Sequence, residues 1–291
     1  MLTATRNDCE RDAANLIRAI EREQRAWASR RGVEVDGSDL VEDVDANLFT
    51  PVSHELRSQL VRQSPALLGE HDKPGEMAAL CSTAALVHNV LDYWRGRAAG
   101  PVEGVLGETL GEATLDLRFA ATTTRAQTDV RHRQAVADAL LQSGTTATVV
   151  AASFLEPYSL VDNHPEAATL EEDASWRGLE ACRNLTLDLR ANPRRFRHLA
   201  VARLLALGQA WTRETGTRGF RLLYLWWDGG GAAAARVRSE IDRFRMRAGG
   251  ELHFVALSWQ ELFGALRSGV RDDANPAGHE AYLQYLSSRY F

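Results

Sequence analysis

Val149-Val150-Ala151-Ala152-Ser153-Phe154-Leu155-Glu156-Pro157-Tyr158 is the stretch on which the reading of this chain turns. The apolar run from Thr146 to Leu155 predicts a strand, and Pro157 lets the chain bend just after it. Upstream, Thr114-Leu115-Asp116-Leu117-Arg118-Phe119 alternates as a second strand would. Between the two, the arginine-rich segment Asp129–Gln142 reads as helical. Downstream, Phe220–Trp227 predicts a buried strand, Gly229–Gly231 a turn, and Ala232–Ala248 a helix ended by Gly249-Gly250. Leu252–Leu257 is a further strand, Ser258 caps a helix through Arg267, and Gly278–Arg289 closes the chain as a helix.

The N-terminal part is helical by pattern. From Asp8 to Arg31, Ala13, Leu16, Ile17, Ile20 and Trp27 recur at helical spacing, and a second helix is predicted in Ser53–Gln63. Asp72-Lys73-Pro74-Gly75 reads as a turn, followed by an apolar helix from Glu76 to Arg95. Gly96–Gly111 is loop-like, with a short strand near Val102–Leu106. Asn163–Asp173 is a loop that holds His164, Glu166, Glu171, Glu172 and Asp173 without metal-ligand spacing. Helices are predicted at Trp176–Leu189 and Arg194–Arg213, the latter opened by Pro193. The expected organisation is an N-terminal helical arm, residues 1–71, on an α/β core, residues 72–291.

Bulk properties narrow the class. The chain has 291 residues and 45% hydrophobic content, enough for a substantial core. Met77–Leu91 is interrupted by Ser82, His88 and Asn89, which is too short and too polar for a membrane span. Met1–Asp8 has no apolar signal core, so a cytoplasmic protein is expected. Cys9, Cys81 and Cys182 are odd in number and far apart, which suggests neither a disulfide framework nor a structural zinc site. A net charge of −5 argues against a broadly basic nucleic-acid coat but leaves room for a local basic cleft. Of 34 basic residues only Lys73 is a lysine.

Read in order, buried helix, strands, helix and strand resemble the core of the PD-(D/E)XK nuclease superfamily, the restriction-endonuclease-like fold. The blocks that carry the resemblance begin with Ser82–Trp94, Leu115-Asp116-Leu117 and Val149–Tyr158. They continue with Leu223–Asp228 and Tyr282–Leu286, so the likeness covers roughly residues 76–291. It implies an α/β fold, a restriction-endonuclease-like mixed sheet flanked by helices. It also implies a DNA partner and Mg²⁺. A homodimer is compatible with the sequence.

The departure from the family lies in the decisive stretch. Active members read apolar-Glu-x-Lys-Phe-x-Glu-Pro-Tyr there, whereas this chain has Ala151 and Ser153 at the glutamate and lysine positions. In-line phosphodiester hydrolysis needs a divalent cation to neutralise developing charge and acidify the attacking water, held by hard oxygen ligands. The resemblance implies that Asp116 is one ligand, on a strand beside residues 151 and 153 and facing the same cleft. Glu156 is the nearest acid that would serve as the second ligand, and Ser153 supplies a hydroxyl. Glu76, Glu108 and Glu112 are further acids, and Arg118 is a cation on the strand face of Asp116.

Arg194, Arg195, Arg197 and His198, at a helix start, are the candidate DNA-phosphate contacts. His88-Asn89 on the apolar helix reads as a hydrogen-bonded core pair. Two other functions compete with the hydrolase: a non-catalytic pseudonuclease that binds DNA or a partner, and a nucleotide-binding α/β enzyme. The latter rests on the strand–glycine turn–helix of Phe220–Ala248, with Gly229–Gly231 at the turn. Asp228 would stand where phosphate approaches, and a tight helix–sheet turn needs the same glycines.

Overall fold

Helix α1 (Arg6–Arg31) forms from a stripe of small and apolar residues at helical spacing. Ala13, Ile20, Gln24, Trp27 and Ala28 on that stripe are buried. The computed structural model describes residues 6–70, 73–97, 116–122, 136–143, 146–159, 184, 187, 219–248, 253–271 and 276–291. The expected loop and strand within residues 98–115 lie outside the described residues. So do the acidic loop 163–173 and nearly all of the two helices expected between 176 and 213.

Helix α2 (His54–Gln63) starts where Ser53 Oγ accepts the amide of Leu56 at 3.2 Å. β1 (Gly69–Glu70) then pairs antiparallel with β2 (Lys73–Pro74), so Lys73 and Pro74, expected within a turn, lie in a short strand. The long helix expected over residues 76–95 is corrected. A 3₁₀ turn spans Glu76–Ala78, Ala79 is extended, α3 covers Thr83–Leu91, and a second 3₁₀ turn covers Asp92–Trp94. The cause is a competing partner for the backbone. Val41 N donates to Ala78 O at 3.0 Å and Leu80 N to Asp39 O at 3.0 Å, which pulls residues 78–80 into strand-like pairing. Ser82 then restarts the helix, its Oγ accepting the Ala85 amide at 3.1 Å.

Five strands form one sheet in the order β3 (Asp116–Thr122), β4 (Val136–Ser143), β5 (Thr146–Ser153), β6 (Gly219–Trp226), β7 (His253–Ser258). With helices flanking it, the architecture is α/β. Strand β4 corrects, from Val136 on, the helix expected across residues 129–142, whose first seven positions lie outside the described residues. Ala137, Ala139, Leu140 and Leu141 are all buried. A strand between two neighbours, apolar on both faces, loses the alternation that marks a strand in sequence. Alanine and leucine then suggest a helix that the sheet overrides. Strands β5 and β6 run parallel, with Thr146 opposite Gly219 and Ser153 opposite Trp226. Leu222–Trp226 is buried throughout, as befits a parallel strand covered on both faces.

Helix α4 (Gly231–Ala248) follows β6 through a turn with Gly230 at φ 71° and Gly231 at φ 70°, where a side chain would be strained. Helix α5 (Trp259–Arg271) opens on a reciprocal cap. Ser258 Oγ accepts the Glu261 amide at 3.1 Å, and Glu261 accepts the Ser258 amide at 2.7 Å. Helix α6 (Glu280–Arg289) ends the chain.

The chain divides into two compact units interleaved in sequence. The first comprises Met1–Ile17, Ala121–Leu140 and Thr145–Leu257; the second comprises Arg18–Ala120, Leu141–Gly144 and Ser258–Phe291. In the first, Val149, Phe154, Tyr158, Tyr224, Val237 and Phe244 make the core. In the second, the core is Trp27, Leu56, Leu86, Trp94, Trp259 and Tyr282. Among the described residues, no helix is long and apolar enough to cross a membrane.

Candidate functional site

The C-terminal end of β5 is where the sequence places its chemistry. Parallel pairing sets Ala151 opposite Tyr224 on β6, so a small residue faces a large one. Both are 2% exposed, and Ser153 is 8% exposed. The hydroxyls of Ser153 and Tyr224 share a hydrogen bond. Burial pushes the Tyr224 phenol far above its ordinary range and outweighs the opposing effect of Ser153, so the phenol stays neutral. The positions that a metal-binding glutamate and a lysine would occupy are therefore part of a packed junction.

Glu156 lies beyond the strand, at the start of the 3₁₀ turn Glu156–Tyr158. Its side chain is exposed and turns back so that Oε2 accepts the Phe154 amide at 2.7 Å. It caps the strand end. Tyr158 is buried and ties this turn to the residues after β6, its hydroxyl donating to Trp227 O and accepting from Gly229 N at 3.4 Å. Burial pushes that phenol up to about 12.

The sheet order corrects the place of Asp116. It opens β3, and β4 stands between β3 and β5, so Asp116 is not on the strand beside residues 151 and 153. Arg118, at the same strand parity, is exposed. The strand beside β5 is β4, and it carries Asp138. The half-buried Asp138 carboxylate accepts the backbone amide of Ala152 at 2.8 Å, between Ala151 and Ser153. Sequence reasoning missed this residue because its segment was assigned to a helix. The signal was the Ser143-Gly144 dipeptide, a turn former that argues against a helix running on through residue 142.

These groups do not fit a magnesium ion. Magnesium asks for near-octahedral hard oxygen ligands, normally including more than one anionic side chain or substrate oxygen. Here Asp138 holds a backbone amide, Ala151 has no ligand atom, Ser153 is engaged by Tyr224, and Glu156 caps Phe154. Among the described residues, no three of His, Cys, Asp and Glu converge as a metal site. Glu76 is exposed at its 3₁₀ turn, while Glu108, Glu112, Arg194, Arg195, Arg197 and His198 lie outside the described residues.

The glycine turn after β6 serves packing. Asp12 of α1 places Oδ2 at the start of α4, accepting the Ala233 amide at 2.9 Å. A carboxylate thus occupies the helix N-terminus that a phosphate would need. A Cβ on Gly231 would come within 2.6 Å of that oxygen, and one on Gly229 within 2.3 Å of Leu16. Asp228 binds Gly230 N at 3.0 Å and forms a salt bridge to Arg238 at 2.6 Å.

In the second unit the expected His88-Asn89 pair separates into two roles. Asn89 is fully engaged: Oδ1 accepts Phe49 N at 2.7 Å, while Nδ2 donates to Asn47 O at 3.1 Å and to the Tyr290 hydroxyl at 2.9 Å. His88 is buried, with no hydrogen-bond partner on either ring nitrogen among the described residues.

No protein-family model matches the chain, and no curated protein or solved structure matches it either.

Proposed function

We propose that this chain is a restriction-endonuclease-like protein, related to metal-dependent DNA phosphodiester hydrolases, whose metal site has become a packed junction. It acts by binding DNA without cutting it. One observation carries the reading. A carboxylate on β4, Asp138, lies against β5 between the glutamate and lysine positions of the resemblance, and those positions hold the buried residues Ala151 and Ser153. The order of α3, three strands in unbroken spatial succession, and a fourth strand parallel to the third supports the same reading.

The test pairs two measurements on the full chain. Fluorescence anisotropy with duplex DNA is expected to show binding that weakens steeply with salt, as phosphate contacts require. Incubation of plasmid and linear DNA with Mg²⁺ and Mn²⁺ is expected to show no nicking. Efficient metal-dependent cleavage lost in Asp138→Asn would overturn the packed-junction reading. Absence of DNA binding even at low salt would overturn the DNA reading and leave a protein partner as the alternative. The nucleotide-binding reading is weakened by Asp12, which takes the helix N-terminus that a phosphate would use.

A further inference from the structure

His88 lies on α3 and is 2% exposed, yet neither ring nitrogen has a hydrogen-bond partner among the described residues. Its imidazole stacks on Phe119 of β3, with centroids 5.3 Å apart and planes 25° from parallel. One turn further on, Asp92 Oδ2 stands 3.6 Å from His88 Nε2, just beyond hydrogen-bond length. The other Asp92 oxygen accepts Arg95 Nε at 2.8 Å, and the Arg95 guanidinium lies 5.4 Å from the Phe119 ring centre. Among the described residues, Asp45, in the 3₁₀ turn Val44–Asn47 and itself held by Arg57 at 3.0 Å, is the other charged group that acts on the imidazole.

We propose that His88 is a proton-sensitive latch of the second unit, with Asp92 as the anion that takes up its charge. Neutral imidazole is tolerated between α3 and Phe119 as a flat, largely apolar ring. Charged imidazolium is not, unless the Asp92 carboxylate closes the gap to Nε2. That movement draws Asp92 away from Arg95 and disturbs the stack on Phe119. Protonation therefore loosens the contact between α3 and β3.

The direction follows from burial, which lowers the His88 pKa below its ordinary 6.5; Asp92 opposes this and Arg95 adds to it. A base whose folded pKa is lowered contributes full stability above its unfolded pKa. The stability is lost as pH falls below about 6.5, until the folded pKa is passed, because the unfolded chain binds the proton more readily. The unfolding equilibrium moves by up to about tenfold per pH unit across that window.

The experiment follows the full chain from pH 8 to pH 5. Histidine NMR is expected to show the His88 ring titrating below 6.5, and lower still in Asp92→Asn, which removes the favourable anion. Hydrogen exchange, corrected for its intrinsic pH dependence, is expected to show amides 83–91 and 116–122 losing protection by up to about tenfold per pH unit. In His88→Phe, which keeps a flat ring and cannot titrate, that loss should vanish. A His88 ring that titrates at or above 6.5 would overturn the latch, as would an unchanged acid loosening in His88→Phe. If His88→Phe does not fold, the wild-type and Asp92→Asn titrations decide alone.

Discussion

The carboxylate of Asp138 and the backbone amide of Ala152 meet at 2.8 Å, which binds β4 to β5 between Ala151 and Ser153. An aspartate that holds a strand amide is anchored and oriented. It is poorly placed to give its oxygens to a metal without releasing that amide.

Substitution at the two candidate aspartates should therefore separate them. Asp138→Asn keeps an acceptor oxygen but loses the charge, and is expected to cost about 1 kcal/mol in stability. No metal-dependent nicking is expected from the parent or from either variant, and Asp116→Asn leaves the Asp138–Ala152 tie intact because β4 separates β3 from β5. Urea denaturation and a supercoiled-plasmid nicking assay make the comparison. A nicking signal that depends on Asp116 and ignores Asp138 would reverse the assignment.

Introducing charge at residues 151 and 153 is the harder case. On the proposed reading Ala151→Glu with Ser153→Lys would supply the missing glutamate and lysine, but both positions are buried and Tyr224 packs opposite Ala151. Two charges introduced there without solvent are expected to cost several kcal/mol, together with the strain of overpacking. The variant should lower the urea midpoint strongly or fail to accumulate as folded protein. If it is as stable as the parent and binds Mn²⁺, residues 151 and 153 open onto a cleft and the packed-junction reading is wrong.

How much was legible beforehand depended on what each segment had to satisfy. Helix α1, strands β5 and β6, the glycine turn and the capped start of α5 were readable because each carries its own local signal. Those signals are helical spacing, an unbroken apolar run, left-handed glycines and Ser258 three residues before Glu261. Strand β4 was not readable. Its alanines and leucines are buried on both faces by the tertiary placement of the strand, which no local pattern announces. That single error hid Asp138 and lent Asp116 its place. The break at residues 79–82 was hidden for the same reason, since its cause is pairing with residues 39–41.

The glycine turn offers a clean test of packing against nucleotide binding. Gly231→Ala meets both a left-handed backbone, φ 70°, and the Asp12 oxygen 2.6 Å from the new Cβ. The backbone strain is expected to cost about 1–2 kcal/mol, and displacement of the Asp12 cap about 1 kcal/mol more. Asp12→Ala alone should cost about 1 kcal/mol. In the Asp12→Ala background Gly231→Ala should cost less than in the parent, since the cap is already gone. ATP and NAD should leave the melting temperature unchanged in all of these proteins. A nucleotide-dependent rise lost in Gly231→Ala would restore the competing function.

The second unit closes on one cation. Arg289 of α6 is 3% exposed, and its guanidinium donates to the carbonyl and side-chain oxygens of Asn47, to the Tyr285 hydroxyl at 2.7 Å, and to Gln24 Oε1 at 3.2 Å. It lies 4.1 Å from the Trp27 ring centre and 4.7 Å from that of Tyr290. Gln24 returns a bond from Nε2 to the Arg289 carbonyl at 2.8 Å, which joins α1 to the chain end in both directions. The partners that satisfy the charge are neutral oxygens and ring faces, arranged around a planar fork. Arg289→Met would fill the space but strand several buried acceptors, and is expected to cost about 3–4 kcal/mol. Arg289→Lys keeps the charge but offers one nitrogen in place of three, and should recover less than half of that loss. Urea denaturation gives both values, with an unchanged denaturant slope confirming that the unfolded state is the same. If Arg289→Lys matches the parent, charge alone would suffice, and the forked hydrogen bonds would not be what holds α6 to α1.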